Sequence, residues 1–239
     1  MAQPTIISAQ SKGYAVVSDS GTSRTYEDIV IPAEANTVIM FVILDTAEAS
    51  RTWDTLTYGN AAAIKTFQVS VSSQRARVTE AAIFDVSAAG AMTADLVATI
   101  SGGSTTVDSR CGVVCSTGFV ESFFTSNDGS SIEGESIAFS PNYENNLFVL
   151  CTGASDHDGG FSYTTGTEIF VDSAGGANVV GVSAGSQATN ASDGSKTIAY
   201  TAPTVKNADF GVLLSSQKNP FATNFGPVIR PIISHDVIS

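Results

Sequence analysis

The segment Asn36-Thr-Val-Ile-Met-Phe-Val-Ile-Leu-Asp45 contains seven consecutive apolar residues, Val38 to Leu44. It is rich in β-branched and aromatic side chains, lacks a 3.6-residue period, and is bounded by Pro32 and a polar turn. Apolar side chains therefore occupy both alternating faces of the segment. This pattern predicts a central β-strand that is covered on both sides.

A second apolar segment, Asn145 to Ser155, begins 109 residues later in the chain (145 − 36). Further matches follow each of the two segments. They pair Gly59 with Gly166, Ala76 with Ala177, Thr93–Thr99 with Thr197–Thr201, and Cys111 with Phe210, at offsets that fall from 107 to 99. An internal duplication, with half-repeats at about 36–118 and 145–217, would explain this pattern.

The composition favours strands over helices. The chain of 239 residues has 21 glycines, abundant Ser and Thr, and only 14% charged residues, which is typical of short strands joined by tight turns. We predict about five strands in each half and a loop over residues 119–135. Five strands with one apolar face cannot bury themselves alone, so the halves should share one core.

The predicted fold class is therefore all-β, an antiparallel two-sheet sandwich of the jelly-roll kind that forms one domain over residues 1–218. Strands of the two halves can mix within each sheet of such a sandwich. Residues 219–239 differ, because Pro220, Pro227 and Pro231 separate their apolar residues. Proline removes a ladder donor and favours extended chain, so we predict an extended C-terminal arm that covers an apolar surface of its own sandwich or of a neighbour.

The charge balance and the cysteines exclude several classes of protein. With 11 Lys and Arg against 23 Asp and Glu, the formal net charge is −12, which disfavours binding to nucleic acid. The N-terminal segment has no basic region followed by a long apolar run, so we predict no export signal. No stretch has the roughly 18 consecutive apolar residues that are needed to span a bilayer. We expect Cys111, Cys115 and Cys151 to be reduced, buried thiols, since a zinc site would lack a fourth ligand.

One motif resembles a catalytic one. Gly181-Val-Ser183-Ala-Gly185 matches the Gly-x-Ser-x-Gly nucleophile elbow, and Asp193 or Asp209 and then His235 follow in the Ser, Asp, His order of α/β-hydrolases. The elbow needs a helix directly after the serine, and the residues after Gly185 are poor helix formers. We therefore interpret the motif as a chance match and predict no catalytic residues.

Asp156, His157 and Asp158 offer cation ligands within one loop. Asp and Gly are also the residues of a plain turn, so both interpretations stay open, and we predict no metal and no cofactor.

Two sets of residues were considered for carbohydrate chemistry. Neither Glu80 with Asp85 nor Glu133 with Glu135 forms the facing carboxylate pair that glycoside hydrolysis needs. The aromatic residues could stack on a sugar, although aromatic residues on strands more often belong to a core; they include Trp53, Tyr58, Tyr163 and Tyr200.

Several turn and strand residues resemble a β-sandwich pattern of virion proteins from tailed bacteriophages. They are Thr57-Tyr-Gly59, Arg77–Phe84, Gly90 with Thr93–Thr99, Gly112–Val114, Gly166-Thr167 and Thr197–Thr201. The resemblance spans residues 36–217 and leaves the C-terminal arm outside.

This resemblance implies a non-enzymatic structural protein, most often a capsid decoration or cement protein, assembled in the host cytoplasm and located in the virion. Its expected partners are the major capsid protein or other virion proteins and further copies of itself, with neither nucleic acid nor membrane. We expect Phe221, Phe225, Ile229 and Ile232 of the arm to contact a partner. The alternative is a carbohydrate- or receptor-binding tail or fibre protein.

Overall fold

The computed structural model describes residues 2–14, 22–46, 52–59, 63–73, 75–101, 108–126, 135–141, 144–155, 162–173, 180–201 and 207–217. These residues form sixteen β-strands and one 3-10 turn, and every pairing between neighbouring strands is antiparallel. The predicted all-β class is confirmed. The C-terminal arm, His235 and the loop with Asp156, His157 and Asp158 lie outside the described residues.

Eight strands belong to each half of the chain. The first eight are β1 (Ile6–Tyr14), β2 (Ser23–Ile31), β3 (Thr37–Thr46), β4 (Thr52–Tyr58), β5 (Ala63–Ser73), β6 (Arg75–Asp85), β7 (Met92–Ser101) and β8 (Asp108–Ser116). The second eight are β9 (Phe119–Ser126), β10 (Glu135–Phe139), β11 (Asn146–Ser155), β12 (Ser162–Thr165), β13 (Thr167–Ser173), β14 (Val180–Thr189), β15 (Lys196–Thr201) and β16 (Asn207–Ser215). The 3-10 turn at Ala191–Asp193 precedes β15.

The strands form two large and two small sheets. The first large sheet has the order β1-β8-β3-β6-β5, and the first small sheet has the order β2-β7-β4. The second large sheet has the order β9-β16-β11-β14-β13, and the second small sheet has the order β10-β15-β12. Adding eight to every strand number of the first half gives the strand order of the second half.

The four sheets pack face to face as four layers with three hydrophobic clusters between them. The first cluster lies between the first small and first large sheets, the second between the two large sheets, and the third between the second large and second small sheets. In β3, Val38, Met40, Val42 and Leu44 belong to the first cluster, whereas Ile39, Phe41 and Ile43 belong to the second. The prediction of a central strand covered on both sides is confirmed.

The arrangement of strands differs from the predicted one in three respects. There are four sheets rather than two, each sheet contains strands of one half only, and residues 119–126, predicted to be a loop, form β9. Each half has eight strands rather than five because short polar strands, such as Ser162–Thr165, carry no alternating apolar signal. A strand can be stabilised by its neighbours' hydrogen bonds without such a signal.

The residue register between the halves also differs from the sequence match. Matching at an offset of 109 equates Val38 with Leu147, but Val38 faces the first small sheet while Leu147 faces the other large sheet. A shift of one residue moves every side chain of a strand to its opposite face. The match therefore equates the right strands, β3 and β11, at a register that is wrong by one residue.

Both halves have their corresponding ends on the same side of the molecule. At one end, Gln3 Nε2 donates to the carbonyl of Asn146 across the halves (2.9 Å). Near the other end, Arg110 in β8 forms an ion pair with Asp172 in β13 (Nη1 to Oδ1, 2.5 Å). We call the first of these the turn end; its described connections are residues 32–36, 86–91, 117–118 and 190–195.

The contact between the large sheets centres on Phe41. Its ring stacks with Phe170 at a centroid distance of 6.2 Å and meets Phe210 edge to face at 5.5 Å. Gly112 lies directly opposite Phe41 in the β3–β8 ladder. A Cβ atom at residue 112 would lie 2.3 Å from Phe41 Cζ and 2.8 Å from Phe170 Cζ, so a glycine is required for this ring packing.

Gly112→Ala should lower the free energy of unfolding by about 1 to 3 kcal/mol, the usual cost of overpacking a core. Denaturant unfolding measures this change. Phe41→Leu serves as the partner in a double-mutant cycle, because a smaller side chain relieves the clash. The double variant should lose less stability than the two single variants together, and strict additivity would contradict the steric explanation.

Candidate functional site

The Gly-x-Ser-x-Gly motif lies inside β14 and not at a strand-to-helix turn. Ser183 pairs with Thr152 of β11 on one side and with Val171 of β13 on the other. The strand continues six residues further, to Thr189, and Ser183 is fully buried. This geometry holds the hydroxyl within the protein and differs from a nucleophile elbow, which lifts the hydroxyl above a sheet.

Ser183 belongs to a buried polar group that we call the tyrosine cluster, formed by Thr152, Tyr163, Ser183, Tyr200 and Asp209. Ser183 Oγ and the Tyr163 hydroxyl share a hydrogen bond of 2.9 Å, and the Tyr200 hydroxyl donates to Asp209 Oδ2 at 2.7 Å. The two tyrosine rings lie 5.8 Å apart. Thr152 lies opposite both Ser183 and Asp209 in the ladders of the second large sheet.

The tyrosine cluster connects the second small sheet to the second large sheet. Tyr163 and Tyr200 come from the small sheet, and their hydroxyl groups reach residues of the large sheet. Burial raises the pKa of Tyr163, the hydrogen bond with Ser183 opposes this rise, and nearby Cys151 and Asp209 add to it. The phenol therefore stays neutral, and the cluster acts as a hydrogen-bonded link between sheets.

Gly185 of the same motif has a steric role. A Cβ atom there would lie 2.3 Å from Cε1 of Tyr163. The glycine thus leaves space for the ring whose hydroxyl Ser183 contacts. Ser183 and Gly185 of the motif therefore both contact Tyr163, and both are buried.

The two aspartates of the supposed triad have structural roles, and His235 lies outside the described residues. Asp209 is bound to Tyr200 in the tyrosine cluster. Asp193 is the last residue of the 3-10 turn, and its Oδ2 accepts from the backbone N–H of Asn190 (2.9 Å) and lies 3.8 Å from Lys196 Nζ. Asp193 therefore has the structural role of a turn residue.

The four aromatic residues named as candidates for a sugar-stacking platform belong to hydrophobic clusters or pack against them. Trp53, Tyr58 and Tyr200 are 4%, 0% and 1% exposed, and Tyr163 is only partly exposed. The Tyr58 hydroxyl donates to the carbonyl of Ile29 at 2.8 Å. These four residues stabilise the packing of the small sheets on the large sheets.

The three cysteines are free and buried, as predicted. Cys111 and Cys115 belong to the first hydrophobic cluster and Cys151 to the second. Burial raises the pKa of all three thiols, and that of Cys111 reaches about 12. Buried neutral thiols of this kind are poor nucleophiles and poor metal ligands.

Of the carboxylates that the sequence offered for glycoside hydrolysis and metal binding, the structure describes the side chain of Asp85 only. Asp85 accepts hydrogen bonds from the Ser87 hydroxyl (2.6 Å) and backbone N–H (3.1 Å). Glu80 and Glu135 are placed by their backbones in β6 and β10, and Glu133 lies outside the described residues. Within these residues no group of three or more His, Cys, Asp or Glu side chains could hold a metal ion.

The outer faces of the two small sheets are corresponding surfaces with different chemistry. On the first small sheet the exposed residues include four acids, Glu27, Asp28, Asp54 and Asp95. On the second small sheet the exposed residues with described side chains are small and uncharged; they include Ala138, Ser162, Thr164, Thr197 and Thr201. Thr164 and Thr201 donate to carbonyls of the neighbouring strand. Among the described residues, the first outer face is therefore acidic and the second carries hydroxyl groups.

The ion pair between Arg110 and Asp172 was missed by the sequence analysis. It joins the two halves, and its side chains are only 12% and 27% exposed. The residues lie 62 positions apart in the chain (172 − 110), and neither belongs to a recognisable motif. Only the packing of the two large sheets brings them together.

Comparison with family models, with curated proteins and with solved structures finds no match to this chain. Among the residues that the structure describes, no helix has the length and apolar character to cross a membrane.

Ser183→Ala should lower the free energy of unfolding by about 1 kcal/mol, because the Tyr163 hydroxyl loses its buried partner. Tyr163→Phe should have a similar effect. The double variant should cost less than the sum of the single variants, since both remove the same hydrogen bond. Denaturant unfolding measures all three variants, and full additivity would contradict the proposed link between the sheets.

Raising the pH should destabilise the protein through Cys111. Because the pKa of the folded thiol is raised from 9.0 to about 12, its stabilising contribution is present below pH 9 and is lost as the pH rises towards 12. Cys111→Ala should make the fall in unfolding free energy over this range shallower, by up to about 1.4 kcal/mol per pH unit. Val113→Ala in the same cluster is the control, which should lower stability and leave the pH dependence unchanged.

Proposed function

We propose that this chain is a non-enzymatic structural protein of a bacteriophage virion, a capsid decoration or cement protein. The observation that carries this proposal is the strand pairing within each half. The first strand pairs with the eighth, the second with the seventh and the third with the sixth, and the same pairs recur in the second half. We interpret each half as a jelly roll, the eight-stranded architecture of many viral capsid domains.

The chemistry of the interior supports a structural role. The reactive side chains that the sequence offered are buried in the layers; they include Ser183, Asp209 and the three cysteines. Each has a packing or hydrogen-bonding role in holding sheets together. A rigid stack of this kind suits a protein that presents surfaces to partners, since preorganised surfaces bind at a lower entropic cost.

The charge and the C-terminal arm support the choice of partners. A net charge of −12 disfavours contact with nucleic acid during particle assembly. The arm carries the apolar residues Phe221, Phe225, Ile229 and Ile232, and an extended segment can bury such residues on a partner. The proposed partners are the major capsid protein or other virion proteins, together with further copies of this chain.

A carbohydrate- or receptor-binding tail protein is the second candidate, because lectin domains use the jelly-roll architecture too. Burial of Trp53, Tyr58 and Tyr200 leaves these three rings unable to stack on a sugar and supports this candidate less than the first. Saturable, specific binding on a glycan array would favour this candidate over a cement protein.

Mass spectrometry and electron cryomicroscopy of particles from the source of the sequence test the proposed function directly. A cement protein should be present in hundreds of copies, because a capsid lattice repeats its binding position many times. A few copies at a tail would favour receptor binding. Absence from the particle would contradict the proposed function.

Replacing Phe221, Phe225, Ile229 and Ile232 with serine should abolish binding to the particle and leave the free energy of unfolding unchanged. The reason is that these side chains are proposed to be buried on the partner. The matched control replaces the polar arm residues Asn219, Thr223, Asn224 and Ser234 with alanine and should bind normally. Co-sedimentation with particles lacking the chain measures both variants, and undiminished binding of the serine variant would remove the arm from the interface.

A further inference from the structure

We infer that two copies of this chain pair through β10, with the β10 strands of the two copies antiparallel about a two-fold axis at Ile137. The second small sheets of both copies, each of three strands, then join into one sheet of six strands. This pairing rests on the proposed association of copies and deepens it, because it names the strand that carries the contact.

The edge strands of the four sheets differ in their regularity. Each sheet has two edge strands, and seven of these eight strands carry one extra residue that interrupts the ladder with their neighbour. The ladders of β3 with β6 and β8, and of β11 with β14 and β16, have no interruption. A bulge bends and twists an edge strand and thereby hinders pairing with a further strand. The seven bulged edges are therefore protected against strand addition.

β10 is the edge strand without an interruption. All its residues pair with β15 in one continuous register, from Glu135 opposite Tyr200 to Phe139 opposite Lys196. A regular edge presents a row of backbone donors and acceptors that a further strand can extend. Among the edges that the structure describes, β10 alone has this geometry.

The corresponding edge of the first half, β2, is protected in two ways. Its bulge contains Glu27 and Asp28, and Asp28 has the left-handed φ of 55°. In addition, the Gln10 carboxamide of β1 binds the backbone of Val30, since Nε2 donates to the carbonyl and Oε1 accepts from the N–H (3.3 Å). β9, the counterpart of β1, contains neither Gln nor Asn. The two halves thus have a protected edge and a regular edge at corresponding places.

The backbone directions in β15 follow from one hydrogen bond. Ala199 N–H donates to Thr165 Oγ1 (2.7 Å) and therefore points towards β12. Residues along an antiparallel strand direct their N–H and C=O groups to alternate sides. The backbone groups of Ile198 and Tyr200 therefore point towards β10.

The same alternation determines which groups of β10 face away from the sheet. Ile137 and Glu135 lie opposite the two β15 residues that point towards them, so their backbone groups point back to β15. Ser136 and Ala138 alternate with them along the strand. The N–H and C=O groups of Ser136 and Ala138 therefore point to the outer side of this edge.

A two-fold axis at Ile137, the central residue of β10, uses both outward residues. Ser136 of each copy lies opposite the partner's Ala138, and each of these two pairs exchanges two backbone hydrogen bonds. Ile137 lies opposite the partner's Ile137 in a non-hydrogen-bonded pair, where side chains approach most closely. One strand thus supplies both sides of the contact, as two-fold interfaces require.

The charge distribution favours a second copy as the partner of β10. The net charge of −12 makes copies repel each other where acids face acids. The exposed acids of the small sheets lie on the first one, whereas the exposed residues with described side chains on the second are uncharged. Glu135 is the one acid of β10. In the antiparallel pair the two Glu135 residues lie about 14 Å apart along the strands, beyond the Debye length of about 8 Å.

Proline at residue 138 tests the pairing in the purified full chain. Ala138→Pro removes an N–H that points away from β15, so the ladder with β15 keeps its hydrogen bonds. By symmetry the substitution removes two of the four hydrogen bonds between the copies. Sedimentation equilibrium should show a concentration-dependent dimer that Ala138→Pro weakens about 30-fold. Ala138→Thr keeps the N–H and is the matched control, which should dimerise like the unmodified chain.

Two results of this experiment would overturn the pairing. One is a chain that stays a single copy at every concentration, and the other is a dimer that Ala138→Pro leaves unchanged. Denaturant unfolding at a low concentration, where single copies predominate, checks that the proline variant keeps the stability of the unmodified chain.

A cysteine at the axis tests the register without proline. Ile137→Cys places two thiols opposite each other in the dimer, and oxidation should link the copies by a disulfide. Phe139→Cys is the control and should not form this link, because residue 139 lies opposite the partner's Glu135. The native thiols are buried, and the unmodified chain measures their background. Equal linking of both variants, or linking of neither, would overturn the pairing.

Co-sedimentation with particles lacking the chain separates the pairing from the proposed function. A chain that stays single in solution and still binds the particles would overturn the pairing and leave the virion role intact. A chain that dimerises through β10 and does not bind the particles would support the pairing and overturn the proposed function.

Discussion

The packing of the two large sheets against each other is the interaction on which the rest of the structure depends. It requires β3 and β11 to be apolar on both faces, because each also covers a small sheet on its other side. The hydrophobic effect favours this packing in proportion to the apolar area it removes from water. Phe41, Phe170 and Phe210 lie at its centre, and Gly112 provides the space for the first two rings. Separating the sheets would expose the inner faces of both halves at once.

The parts of the fold that could be predicted are those whose sequence carries a local signal. The continuous apolar run of β3 predicts burial on both sides, and the similar run of β11 reveals the repeat. β9 was missed because a bulge between Val120 and Ser122 interrupts the alternation of its apolar residues, so that Val120 and Phe123 face the same cluster. The register between the halves was wrong by one residue because similar apolar residues, such as Val38 and Leu147, occupy both faces of these strands. Where both faces are apolar, the alternation that normally identifies a register is lost.

The chemistry of the candidate sites could likewise be predicted only where a local sequence signal exists. The sequence placed Ser183 in a known catalytic motif, but the function of a serine depends on the residues that the fold brings to it. Here the fold brings Tyr163 from another sheet, and no sequence spacing indicates that contact. Burial of the thiols could be predicted, because cysteine in an apolar strand behaves as a small hydrophobic residue. The ion pair of Arg110 with Asp172 could not be predicted, since it forms only when the two halves pack against each other.

The connection between the halves consists of only two residues, Thr117 and Gly118, between β8 and β9. A pair of separate chains packed through the same large sheets would come apart on dilution, because their association depends on concentration. A short covalent tether converts that association into an intramolecular one with a high effective concentration. The four-layer stack therefore persists at any dilution at which a single chain stays folded. Its integrity requires no excess of free subunits in the surrounding solution.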